Sequence, residues 1–152
     1  MKKVHLRNLF LLVLLVSFIT LSCGFVTAPK VGLNIIATAS QQTAGSTTFR
    51  IGVENTGPKT EALSFRNGQF FDIEVKDGGG HLVWKYSYDA YFATVVWSIE
   101  LAPGESSRVY EQVWNLTGND QKPLPSGSYK ATVYITNNPR DEGLSKVVSL
   151  TI

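Results

Sequence analysis

Phe71-Asp72-Ile73-Glu74-Val75-Lys76-Asp77-Gly78-Gly79-Gly80-His81-Leu82-Val83-Trp84-Lys85-Tyr86 is the stretch that decides the fold. Phe71, Ile73 and Val75 alternate with Asp72, Glu74 and Lys76. Successive side chains of a strand point to opposite faces, so this period of two buries one side and leaves the other to water. Asp77 and three glycines then turn the chain. Leu82, Trp84 and Tyr86 share one face of the returning strand. Two such runs joined by a tight turn form an antiparallel hairpin. Asp72 and Glu74 fall on its outer side and read as solvated.

The same pattern continues in both directions. Upstream, Leu33–Ala39 and Thr47–Glu54 read as strands, and Asn55-Thr56-Gly57-Pro58 reads as a turn. Glu61–Phe65 is a short strand, and Asn67-Gly68 suits a tight hairpin with positive φ. Downstream, Val95, Trp97, Ile99 and Leu101 share a face, and Pro103-Gly104 turns the chain into a strand over Ser106–Trp114. Either Val109 and Val113 or Tyr110 and Trp114 are its buried side. Gly118–Ser126 is a polar loop. Tyr129, Ala131, Val133 and Ile135 alternate with polar neighbours, and Val148, Leu150 and Ile152 line a last strand. No long helical period occurs after the N-terminal segment, and about nine short strands at this spacing predict an all-β, antiparallel two-sheet sandwich. Gly127-Ser128-Tyr129-Lys130-Ala131 has the form of a tyrosine corner, whose hydroxyl bonds back to the preceding loop.

The N-terminus carries a different signal. Lys2, Lys3 and Arg7 precede an apolar run from Leu9 to Leu21. As a helix this run reaches roughly 20 Å, short of a ~30 Å bilayer core. Residues 1–22 therefore read as a signal peptide of lipoprotein type. Cys23 follows Ser22 directly and is the expected lipid attachment point, although Thr20, not Leu, stands three places before it. Secretion without lipid and an uncleaved anchor are the alternatives. Residues 23–32 form a tether, and residues 33–152 form the domain.

Charge and composition narrow the function. The chain has 14 basic and 12 acidic side chains, and loss of Lys2, Lys3 and Arg7 with the leader leaves 11 basic. That balance gives no basic patch for nucleic acid. Cys23 is the one cysteine, which rules out an intramolecular disulfide and a cysteine zinc site. His81 is the one histidine after the leader and sits in a turn, without the setting of a catalytic base. Asp72 and Glu74 share a strand face, but their alternation with Phe71, Ile73 and Val75 is that of an ordinary outer face rather than a glycosidase pair. Asn137, Asn138, Asp141 and Glu142 lack calcium-loop spacing. The expectation is a binding protein, not an enzyme, with no metal and no cofactor. Tyr88 and Tyr91, with Tyr86 and Phe92, crowd one connection, where rigid aromatic rings either anchor a partner or plug the end of the sandwich; Phe92 reads as packing, and Tyr88 and Tyr91 as the candidate partner-binding residues.

From Asn55 to Thr136 the chain resembles the BsuPI-type intracellular proteinase inhibitor family. The resemblance rests on Asn67-Gly68-Gln69 with Phe71-Asp72, on Val75 and Asp77, on Val83-Trp84 and Ser87, and on Phe92. It continues through Leu101-Ala102-Pro103-Gly104-Glu105, Trp114, Pro125, Gly127 and Tyr129. The resemblance implies an immunoglobulin-like β-sandwich and inhibition of a serine proteinase, and it assigns no inhibitory residue. With an export leader, the expected partner is a serine proteinase or another protein of the envelope or beyond, and the membrane is met through lipid on Cys23. The alternative is a non-inhibitory envelope module that binds a protein or glycan.

Overall fold

The computed structural model describes residues 32–43, 45–140 and 143–152. The leader, Cys23 and nearly all of the tether lie outside the described residues, as do Asp141 and Glu142. Among the described residues, nine strands and one helical turn follow in order: β1 (Leu33–Thr43), β2 (Ser46–Asn55), β3 (Glu61–Phe65), β4 (Phe71–Lys76), β5 (Leu82–Lys85), α1 (Tyr86–Asp89), β6 (Trp97–Leu101), β7 (Tyr110–Trp114), β8 (Ser128–Ile135) and β9 (Ser145–Thr151). No helix among the described residues is long and apolar enough to cross a membrane.

Hydrogen bonding sorts the strands into the orders β1-β2-β7, β5-β4-β8-β9 and a separate β3-β6 ribbon, all antiparallel. The first two sheets face each other across a core of Phe49, Ile51 and Val53 from β2, Ile73 and Val75 from β4, and Ala131, Val133 and Ile135 from β8, all 0 % exposed. The arrangement is an immunoglobulin-like antiparallel β-sandwich, with β4 and β8 as the central strands of the second sheet. Two signatures of that fold sit where expected. The Tyr129 hydroxyl donates to the Pro125 carbonyl at 2.7 Å, which forms the tyrosine corner at the start of β8. Trp84 stacks on Trp114 across the core at 5.2 Å between ring centroids.

Asn55 ties the ribbon to the rest. Its side chain is wholly buried, so each polar atom needs a partner. Nδ2 donates to the Lys59 carbonyl at 2.7 Å and the Leu101 carbonyl at 2.8 Å, and Oδ1 accepts the Gly57 N–H at 2.9 Å. Phe65 then stacks on Trp97 at 4.3 Å and packs on Phe70 at 5.2 Å.

Several expectations change in the folded chain. Asn67-Gly68 is not a hairpin: β3 pairs with β6 and β4 with β5 and β8, so residues 66–70 carry the chain between sheets. Gly68 is absent from the positive-φ glycines, and its smallness instead serves a close approach, since an added Cβ would lie 3.4 Å from the Ala93 nitrogen. The strand expected from Ser106 begins only at Tyr110, because the Ser107 hydroxyl, not a backbone carbonyl, accepts the Val53 N–H at 2.9 Å. Its buried face is the one with Trp114, while Val113 is 55 % exposed. Leu82 and Val95 lie at or beyond strand ends and are exposed, and Tyr86 leaves β5 to start α1.

Candidate functional site

The connection from β5 to β6 gathers the exposed aromatic surface. Trp84 enters the core as the chain leaves β5, and its Nε1–H donates to the Asp89 carboxylate at 2.8 Å. That bond closes one turn of helix, after which residues 90–96 carry no regular structure. The far side of the connection is held as firmly. The Gly68 N–H donates to the Ala93 carbonyl at 2.8 Å, and the Trp97 Nε1–H donates to the Asn67 carbonyl at 2.7 Å. Between these braces Tyr86 stacks on Phe71 at 5.1 Å, and Phe92 packs edge-on against Tyr86 at 5.8 Å.

What the braces present is apolar. Tyr88 is 67 % exposed and Tyr91 104 % exposed. Lys85 Nζ lies 5.6 Å from the centroid of the Tyr88 ring, close enough for a cation–π contact. Val95 and Val96 extend the apolar surface toward β6. Phe92, by contrast, is half-buried and belongs to the packing beneath.

A polar cluster under this connection was not read from the sequence. Asp72 and Glu74 do share the outer face of β4, as alternation requires, but that face is not solvated. Asp72 is 3 % exposed. Its Oδ1 accepts the Ser87 N–H at 3.0 Å, which fixes the start of α1 over the sheet. Tyr134, opposite Asp72 on β8, places its hydroxyl 3.1 Å from both Asp72 Oδ2 and Glu74 Oε1, so one proton serves two acceptors. Lys85 Nζ donates to Glu74 at 2.8 Å and lies 3.7 Å from Asp72. The Arg140 guanidinium stacks over the Tyr134 ring at 4.2 Å.

The electrostatics follow from that geometry. The Lys85 hydrogen bond holds the Glu74 carboxyl below its ordinary value, against the opposing effect of burial. Burial works against the Lys85 charge, but the hydrogen bonds and negative neighbours outweigh it and hold the ammonium above its ordinary value. Burial, with the charges of Asp72 and Glu74, pushes the Tyr134 hydroxyl up to about 12, so it remains a donor at neutral pH. The cluster is closed by α1 and leaves Asp72 out of reach of a substrate. Its role is to hold the base of the connection. One signal for it was present: Asp72 and Ser87 are both among the residues on which the sequence resemblance rests, and the Ser87 N–H donates to Asp72.

His81 sits on the Asp77-Gly80 turn, largely exposed, with its ring 3.2 Å from the Asp77 carboxylate. The described residues hold no group of three His, Cys, Asp or Glu side chains arranged for a metal.

Comparison with known proteins adds the family. No curated protein matches the sequence. Among solved structures, the chain is similar to the β-glucosidase EmGH1 of Erythrobacter marinus, at 13 % identity and a TM-score of 0.43, over 78 % of this chain and 15 % of that one. It is similar to the CARDB domain of the PF1109 protein of Pyrococcus furiosus at 13 % identity and a TM-score of 0.39, over 78 % of this chain and 85 % of that one. A β-glucuronidase of Bacteroides uniformis matches at 15 % identity and a TM-score of 0.41, over 79 % of this chain and 12 % of that one. The chain thus spans a small part of each glycosidase. The BsuPI family, described as intracellular proteinase inhibitor, matches residues 34–140. This chain belongs to the BsuPI intracellular proteinase inhibitor family.

Proposed function

We propose that this chain is an exported, lipid-anchored, proteinase-inhibitor-like protein that binds a serine proteinase in the cell envelope or outside the cell. The family match over residues 34–140 carries the reading. The braced connection bearing Tyr88 and Tyr91 supports it, because rings held on a firm base bind with little loss of side-chain freedom. The basic, apolar leader that ends directly before Cys23 supports the export and the anchor.

The decisive experiment titrates the purified protein into a subtilisin-type serine proteinase and follows residual activity. Dose-dependent loss of activity is the expected result. No loss at concentrations of about 10 μM, where even a weak complex forms, removes the inhibitory reading and leaves a non-inhibitory envelope module for a protein or glycan. Intact-mass measurement of the membrane fraction tests the anchor. The expected mature chain starts at Cys23 and carries acyl mass, and a single acyl chain would hold it only marginally. A chain starting later, or without acyl mass, overturns the anchor alone.

A further inference from the structure

We infer that Tyr91 is the side chain that enters the primary specificity pocket of the target, so that the target is a serine proteinase with a deep, apolar pocket for a large aromatic residue. This rests on the inhibitory reading and adds to it the partner's specificity class.

A proteinase binds its substrate as an extended strand and reads one side chain in a pocket. A segment that mimics a substrate must be irregular, exposed and backbone-accessible, yet anchored at both sides. Residues 90–96 meet these requirements. Ala90 is extended at φ −116° and ψ 148°, and Tyr91 is fully exposed immediately after it. Among the described residues, nothing hydrogen-bonds to the Tyr91 backbone, which leaves it free to pair with another strand. The Asp89–Trp84 bond holds the chain just before Tyr91, and the Phe92–Tyr86 ring contact and the Gly68–Ala93 bond hold it just after.

Other exposed connections fit less well. Residues 118–124 fold back on themselves through bonds from Gly118 to Lys122, Gln121 to Gly118 and Leu124 to Leu116. Residues 104–107 are tied to β2 by bonds between Gly104, Glu105 and Ser107 and the backbone of Val53 and Asn55. Tyr88 is in the helical turn, under Lys85, and cannot lie in an extended strand.

The braces also explain how such a segment would resist cleavage. Attack by the proteinase's serine oxygen on the Tyr91 carbonyl carbon breaks the bond to the Phe92 nitrogen, and the serine's proton passes to that leaving amine. Phe92 stays docked on Tyr86 and the Ala93 carbonyl stays bonded to Gly68, so the amine remains beside the acyl carbon. It re-attacks, the peptide bond re-forms and the serine regains its proton.

The test compares the full-length chain in detergent with Tyr91→Phe and Tyr91→Lys, against chymotrypsin, whose pocket is apolar, and trypsin, whose pocket is acidic. Wild type and Tyr91→Phe are expected to inhibit chymotrypsin. Tyr91→Lys is expected to lose roughly thirtyfold or more against chymotrypsin and to gain inhibition of trypsin. If Tyr91→Lys inhibits chymotrypsin as wild type does, Tyr91 is not the inserted residue and the inhibitory reading stands. If the folded wild type inhibits trypsin but not chymotrypsin, the pocket class is wrong. If it inhibits neither of these nor subtilisin, both the inference and the reading beneath it fall.

Discussion

The two faces of β4 are buried by different means. Inward, Phe71, Ile73 and Val75 meet β2 and β8 side chains in an apolar core, where burial is favourable for any well-packed side chain. Outward, Asp72 and Glu74 are covered by Lys85, Tyr134 and the first turn of α1, where burial is tolerated only because each charge finds partners. The inner face holds the domain together. The outer face holds one connection in place, and that connection carries the exposed tyrosines. A general core and a specific bracket thus share one strand.

Truncating the inner partner should have the largest effect. Trp84→Ala removes a side chain that is 4 % exposed and also frees Asp89. A loss of about 3–5 kcal/mol in urea denaturation is expected. An unchanged midpoint would mean that the Trp84–Trp114 stack does not hold the sheets together.

Breaking the outer face comes next. Asp72→Ala removes the acceptor of the Ser87 N–H and leaves Tyr134 and Lys85 with one fewer partner. The expected cost is about 3 kcal/mol, with loss of hydrogen-exchange protection at the Ser87 amide. A cost below about 0.5 kcal/mol would place Asp72 among ordinary surface side chains and dissolve the contrast between the faces.

The Glu74–Lys85 pair sharpens the comparison through pH. The Glu74 carboxyl is held below its ordinary value of 4.5, so its contribution is present above that value and is lost as the pH falls through the folded-state value. Wild type should therefore lose stability relative to Glu74→Gln below about pH 4.5, by less than about 1 kcal/mol for a partly exposed pair. Parallel stability–pH curves for the two proteins would show that the pair does not support the outer face.

The smallest effect on stability is expected where exposure is greatest. Tyr88→Ala with Tyr91→Ala should leave the denaturation midpoint unchanged within about 0.5 kcal/mol. The same double variant should weaken proteinase binding by about 2 kcal/mol or more, read as the inhibition constant. Unchanged inhibition by the stable variant would separate the bracket from any binding role.

How far the sequence carried the reading depended on the kind of contact. The hairpin of β4 and β5, the turn at Gly80 and the tyrosine corner at Tyr129 were all legible, because they are local. Alternation assigns faces, Gly80 adopts φ +84°, and Tyr129 bonds four residues back to Pro125. The bracket was half legible. Asp72 and Glu74 were placed on the correct face, and Lys85 stands opposite Glu74 in the same hairpin, but Tyr134 reaches them from the distant strand β8, and no local pattern reports that meeting.

By itself the sequence determined the strand periods, most of the inward faces of β2, β4 and β8, the family to which the chain belongs, and the clustering of Tyr88, Tyr91 and Phe92 in one connection. Tertiary structure alone decided that Asn67-Gly68 crosses between sheets rather than closing a hairpin, that Asp72 is buried, and that Tyr91 points out while the Phe92 ring docks on Tyr86. The physical reason is common to all three. A period of two states which side chains share a face, but what covers that face is set by segments further off in the chain: Ala93 against Gly68, α1 over Asp72, and Phe71 beneath the Tyr86–Phe92 pair.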